Sequence, residues 1–198
     1  MSRPLRTNIS KSSLILMGIP KHFCDVTLDD FKEYKDVKEA KAFVKDYIDN
    51  LVDNIENNNG IFFCGSNGVG KTMLSCIIMK EAYKHRYSCR RVTFSKYIGY
   101  YTDGWSKDKE SVEELTYEKF KGAEFLVLEE VGKEIDSKIA KPILEDLLRY
   151  REEQGFVTII CSNSDLAEFK NHYGNSICSL INGNMTIISI EAKDRRSK

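Results

Sequence analysis

The sequence lacks charge of one dominant sign: 30 Lys+Arg balance 30 Asp+Glu over 198 residues. That balance excludes a uniformly basic nucleic-acid coat, so any DNA or RNA contact must come from a local patch. A C-x-x-C pair is also missing. The six cysteines (Cys24, Cys64, Cys76, Cys89, Cys161, Cys178) are scattered, and His22, His85 and His172 do not cluster with them. The nearest approach is His22-x-Cys24, which falls short of the four ligands of a structural metal site. Scattered single thiols read as buried cysteines in a reducing compartment. No apolar run approaches the ~20 residues of a membrane span. The patch Leu14-Ile15-Leu16-Met17 is shorter than a signal-peptide core and has no small-residue cleavage site. The expectation is a cytoplasmic protein with no membrane partner. Repeats and low-complexity tracts are absent, and 30% charged residues accompanied by 11% aromatics argue against disorder.

What is present is enough for one domain with a short appendage. Residues 1–17 read as an N-terminal arm, broken from the rest by Gly18-Ile19-Pro20. From Val37 to Ile55 apolar residues recur in steps of three and four, the pattern of one helix face, and Asn57-Asn58-Asn59-Gly60 ends it. Short apolar strands are expected at 61–64, 91–94, 125–128, 156–161 and 185–190. Helices are expected at 71–85, 111–120 and 137–154, with short ones at 165–173 and 175–181. Ser95 to Tyr101 reads as helix or loop and Asp103-Gly104 as a turn. Helices alternating with strands that are apolar throughout predict an α/β fold, a parallel sheet covered on both faces.

Three segments carry chemistry. Gly65-Ser66-Asn67-Gly68-Val69-Gly70-Lys71-Thr72 fits G-x-x-x-x-G-K-[ST], between an apolar strand and a helix. The glycines let the chain wrap so that backbone N–H groups point at phosphate oxygens, and the helix N-terminus adds its dipole. Lys71 is placed for the β- and γ-phosphates and the Thr72 hydroxyl for Mg²⁺. Phe125-Leu126-Val127-Leu128 then runs straight into Glu129-Glu130. Carboxylates at the carboxyl end of a parallel strand face the ligand crevice. Glu129 is the candidate metal-side carboxylate and Glu130 the candidate base for the attacking water. Third, the strand 156–161 ends at Ser162-Asn163, where Asn163 can orient that water or sense the γ-phosphate; the competing reading is a helix N-cap.

With these residues in hand, the chain resembles the AAA+ ATPase module of bacterial replicative-helicase loaders of the DnaC/DnaI type and of the related IstB-like transposition ATPases. The resemblance runs from Gly18 to about Arg196. It rests on Gly18–Phe23 with Thr27–Phe31 as the opening segment, Gly65–Thr72 as Walker A and Phe125–Gly132 as Walker B. Leu147–Arg151, Thr158–Asn163 as sensor 1, and Asp194-Arg195-Arg196 as sensor 2 complete it. It implies a P-loop NTPase of the AAA+/ASCE kind with a five-stranded parallel sheet, occupying residues 18–198. It implies ATP and Mg²⁺ as cofactors, with Arg195 or Arg196 near the γ-phosphate. A replicative helicase and single-stranded DNA are the implied partners, with a homo-oligomer as a further state. Alternatives are a transposition-type ATPase and an ATP-gated partner-binding switch with little hydrolysis; a small-molecule P-loop kinase fits less well.

The sequence departs from the family at three places. Glu129 stands for the Walker B Asp, which predicts slow hydrolysis. Leu180 falls about where loaders carry an arginine that reaches a neighbour's ATP. Only the short arm precedes the match, a compact form that suits a phage or mobile-element protein. Finally, Arg90-Arg91, Lys96-Tyr97 and Tyr100-Tyr101 mix cations with aromatics, a composition that can track a phosphate backbone and stack bases. Half-buried packing is the competing reading of those tyrosines.

Overall fold

A computed structural model describes residues 3–32, 37–106, 112–134 and 137–191. Helix α1 (Lys11–Leu16) and a 3-10 turn (Lys21–Phe23) lead into α2 (Lys38–Asp49) and α3 (Leu51–Glu56). Then follow β1 (Gly60–Cys64), α4 (Lys71–Lys84), β2 (Cys89–Thr93), α5 (Phe94–Ser106), α6 (Val112–Lys121) and β3 (Phe125–Val131). The chain continues through α7 (Ser137–Glu153), β4 (Val157–Ser162), α8 (Leu166–Tyr173), α9 (Asn175–Asn184) and β5 (Met185–Ser189). The five strands form one all-parallel sheet in the order β2-β3-β4-β1-β5. This is the expected α/β sandwich.

Alternation along the strands divides the core in two, because successive side chains leave a strand on opposite faces. Ile61, Phe63, Phe125, Val127, Val157, Ile159 and Cys161 pack beneath α1 to α4. Phe62, Cys64, Leu126, Leu128 and Ile160 pack beneath α5 to α9. Both faces being buried is why these strands read as unbroken apolar runs. All six cysteines are buried free thiols.

Several local expectations are corrected. The single helix read over 37–55 is two, parted at Asn50. The Asn50 side-chain amide donates to Asp46 O at 3.0 Å, and that of Asn54 reaches back to Tyr47 O at 3.1 Å. Such local side-chain bonds compete with helix continuation. The turn expected at Asp103-Gly104 is instead the end of α5. Tertiary packing of α5 on β3 and α6, through Phe94, Tyr97 and Ile98, outweighs the turn preference of that dipeptide. Residues 3–17 lie along the domain. The Arg6 guanidinium sits over the Tyr83 ring at 4.2 Å, its backbone N–H donates to Lys84 O, and Leu14 and Met17 are buried.

At the opposite end of the sheet from the strand tips, Arg151 is 1% exposed, with no carboxylate among its hydrogen-bond partners in the described residues. Its guanidinium instead donates to Lys121 O, Ala123 O, Val157 O and the Thr158 hydroxyl at 2.6–2.9 Å. It ties the start of β4 to the chain entering β3. Burial pulls its pKa down to about 9.

Candidate active site

The strand order sets the site. β3, β4 and β1 are neighbours, so the loops leaving their carboxyl ends converge on one crevice, where open α/β sheets bind ligands. The loop after β1 turns into α4 at Gly70, which caps the helix at φ 106°, a left-handed conformation suited to glycine. A side chain there would also meet the Phe31 ring. Lys71, the first residue of α4, is buried. Its ammonium donates to Gly65 O at 2.6 Å, Ser66 O at 2.7 Å and Asn163 Oδ1 at 3.0 Å. Burial lowers its pKa. The loop thus holds a desolvated cation at the helix N-terminus, where backbone dipoles also favour an anion.

The two adjacent glutamates of β3 have opposite environments. Glu129 continues the ladder, opposite Cys161 of β4, and is 2% exposed. Glu130 is the extra residue of a β-bulge between Glu129 and Val131, at φ 61°. A bulge re-aims a side chain, and a positive φ on a non-glycine residue marks local strain. The Glu130 carboxylate is exposed and pairs with Lys133 at 3.0 Å.

Glu129 is held on three sides. Its Oε2 accepts from the Thr72 hydroxyl at 2.9 Å; its Oε1 accepts from the Ser75 hydroxyl at 2.9 Å and from Arg91 Nε at 3.2 Å. Thr72 and Ser75 sit one turn apart on α4, on the face that packs over β3. Ser75 was missed from the sequence; its spacing from Thr72 was the available signal. The Thr72 hydroxyl and Glu129 carboxylate are hard oxygen donors beside the phosphate loop, which is the donor chemistry Mg²⁺ takes. These two residues therefore fit a metal held jointly with phosphates.

Asn163 faces the same crevice. The N-cap of α8 is Asp165, whose carboxylate accepts from Glu168 N at 2.8 Å, so the cap role belongs to Asp165 and not to Asn163. Glu134, also missed, accepts from the Gly132 N–H at 3.0 Å and from the Tyr173 hydroxyl, fastening the bulge to α8. The crevice is a cavity of about 750 Å³, a volume typical of small-molecule sites. Pro20, Phe23, Phe31, residues 67–73, Glu129, Glu130 and Asn163 are among the residues that line it. A buried ammonium at a helix N-terminus and an exposed carboxylate can together hold a polyphosphate and polarise a water.

The basic and aromatic residues of 90–101 do not form one surface. Arg91 points into the nucleotide-side cavity, and Tyr97 is 0% exposed, stacked near Phe94 with ring centroids 6.4 Å apart. Tyr97 has no face left for a base. Tyr100 stacks on Phe120 and Tyr101 packs edge-on to Tyr117, joining α5 to α6. Arg90 is half-buried and donates to its own strand at Cys89 O, while Lys96 is exposed. Arg195 and Arg196 lie outside the described residues.

A model of the IstB-like ATP binding protein family matches residues 12–181. No curated protein sequence matches the chain. Among solved structures, that of the DnaC helicase loader superposes with a TM-score of 0.74 at 22% identity, covering 86% of this chain and 99% of that one. DnaI superposes with a TM-score of 0.66 at 23% identity over 91% of this chain and 95% of its own. The replication initiator DnaA bound to AMPPCP and single-stranded DNA gives 0.69 at 18% identity, over 89% of this chain and 52% of its own. These similarities show the P-loop AAA+ fold. Among the described residues no helix is long and apolar enough to cross a membrane.

Proposed function

The chain belongs to the IstB-like ATP-binding protein family, and from that premise we propose that it is an ATP-hydrolysing replication protein that loads or remodels a replicative helicase on single-stranded DNA in the cytoplasm. The observation that carries the reading is the convergence of Lys71, Glu130 and Asn163 on one cavity, in a fold that overlaps nearly the whole of a helicase loader. In this reading the 65–70 loop and Lys71 bind the β- and γ-phosphates. Lys71 gives up its bonds to Gly65 O and Ser66 O when phosphate oxygens replace them. Thr72 and Glu129 would hold Mg²⁺, which when bound neutralises charge on the phosphates. Glu130, freed from Lys133, accepts a proton from the attacking water, and Asn163 orients that water against the γ-phosphate. Single-stranded DNA contact falls to Arg90, Lys96 and the outer edges of Tyr100 and Tyr101.

A second reading, an ATP-gated switch with little turnover, is favoured by two observations. Both oxygens of Glu129 are already engaged by Thr72, Ser75 and Arg91. The half-buried Leu180 of α9, where the resemblance expects an arginine, points the same way. A transposition-type ATPase would share the site and differ in partner. The deciding experiment is ATP turnover by the chain alone, with single-stranded DNA, and with the host replicative helicase, alongside a helicase pull-down. Stimulated turnover with co-purification supports the loader. Nucleotide-dependent capture without turnover supports the switch, and the absence of both stimulation and capture refutes the helicase reading.

A further inference from the structure

Arg91 has a role that the phosphate-loop chemistry does not assign. It lies on β2, on the same sheet face as Glu129 of the neighbouring β3, and its side chain is 14% exposed against 3% for Glu129. Its Nε donates to Glu129 Oε1 at 3.2 Å and its Nη1 to Gly18 O at 3.0 Å. Its backbone N–H donates to Met17 O at 2.8 Å. Gly18 presses so closely on β2 that a Cβ there would stand 2.3 Å from Arg91 O. The arginine is therefore fixed from three directions, with its charge on the metal-side carboxylate and its edge on the cavity.

The electrostatic consequence follows. A buried carboxylate beside a phosphate loop repels an incoming polyphosphate, and a P-loop site ordinarily relies on a divalent ion to offset that repulsion. Here a resident guanidinium already sits on Glu129, and in a low-dielectric cavity a fixed cation acts strongly. We propose that Arg91 is a built-in counter-cation for Glu129 and makes nucleotide binding by this chain only weakly dependent on divalent metal. The inference rests on the nucleotide-binding reading. Arg91 is here a positioning residue: it orients Glu129 through the ion pair and forms no bond in a reaction.

The test is titration with a fluorescent ATP analogue in Mg²⁺ and in EDTA, for the full chain and for Arg91→Gln and Arg91→Lys. For the unaltered chain, affinity in EDTA should stay within about tenfold of that in Mg²⁺. Arg91→Gln should lower the metal-free affinity by about tenfold or more while changing the Mg²⁺ affinity less, and Arg91→Lys should recover much of the loss. A loss well beyond tenfold in EDTA for the unaltered chain overturns the proposal. So does an Arg91→Gln variant with an unchanged Mg²⁺-to-EDTA ratio. If Arg91→Gln does not fold, the ratio for the unaltered chain decides alone. Absence of binding even in Mg²⁺ is a separate result, which removes the nucleotide reading and this inference with it.

Discussion

Glu129 and Glu130 are neighbours in sequence, yet replacing each by glutamine should give opposite outcomes. Glu129→Gln keeps the shape but removes the charge and turns one acceptor into a donor. Three donors converge on this carboxylate, so at least one of Thr72, Ser75 and Arg91 must face an N–H₂ group. Breaking one side of a buried ion pair costs ~3–5 kcal/mol. Arg91 keeps its bond to Gly18 O and slight solvent access, which places the loss near the lower end. For a domain of this size ~3 kcal/mol corresponds to roughly 6–12 °C in melting temperature. Glu130 is exposed, and its pair with Lys133 is a surface contact. Glu130→Gln should therefore move stability by no more than about 0.5 kcal/mol, while cutting ATP turnover by ~10²-fold or more. Denaturant titration and steady-state turnover on the two variants check both halves. A Glu129→Gln variant melting within about 2 °C of the parent would refute the reasoning from its bonding, and undiminished turnover in Glu130→Gln would refute the assignment of the base.

Other consequences concern the frame around the site. Glu130→Gly relieves the positive φ at the bulge and should raise stability by up to ~1 kcal/mol while abolishing turnover, a stability–activity exchange that equilibrium unfolding and an ATPase assay read directly. Arg151→Met strands two buried carbonyls, a part-buried one and the Thr158 hydroxyl, and should cost about 3–5 kcal/mol in urea unfolding with nucleotide affinity unchanged; a loss under ~1 kcal/mol contradicts the bonding described. Burial pushes the Glu124 carboxyl up, but hydrogen bonds from Arg3 and from the backbone N–H and hydroxyl of Ser88 outweigh it and hold the pKa below the usual 4.5. A depressed carboxylate stabilises fully above its unfolded pKa and loses that contribution as pH falls through the folded value. Hydrogen-exchange protection of the Arg6 N–H, bonded to Lys84 O, should accordingly fall below about pH 4.5, and unchanged protection at about pH 3 contradicts this.

Much of this was legible in the sequence because the signals are local. The phosphate loop is a fixed spacing, and Phe125 to Leu128 is apolar because the strand is buried on both faces. The parallel sheet follows from such runs alternating with amphipathic helices. What escaped depends on residues distant in sequence. Arg91 read as part of a basic surface because nothing local to β2 reveals that its face abuts Glu129. Tyr97 read as a stacking ring because the helix face that meets the sheet is set by packing, not by composition. Ser75 and Glu134 gain their roles only when α4 lies over β3 and α8 meets the bulge. The break at Asn50 is a contest between a side-chain amide and a helix bond, and the apolar period crosses it undisturbed.

Every role assigned to the site depends on the loop from Gly65 to Thr72 and the Lys71 ammonium holding the phosphates of a nucleotide. Calorimetric titration of ATP into the full chain and into Lys71→Ala tests it most directly. Saturable one-to-one binding is expected for the unaltered chain, with a loss of at least ~100-fold in affinity in the folded variant. Equal affinity in the two proteins would contradict it.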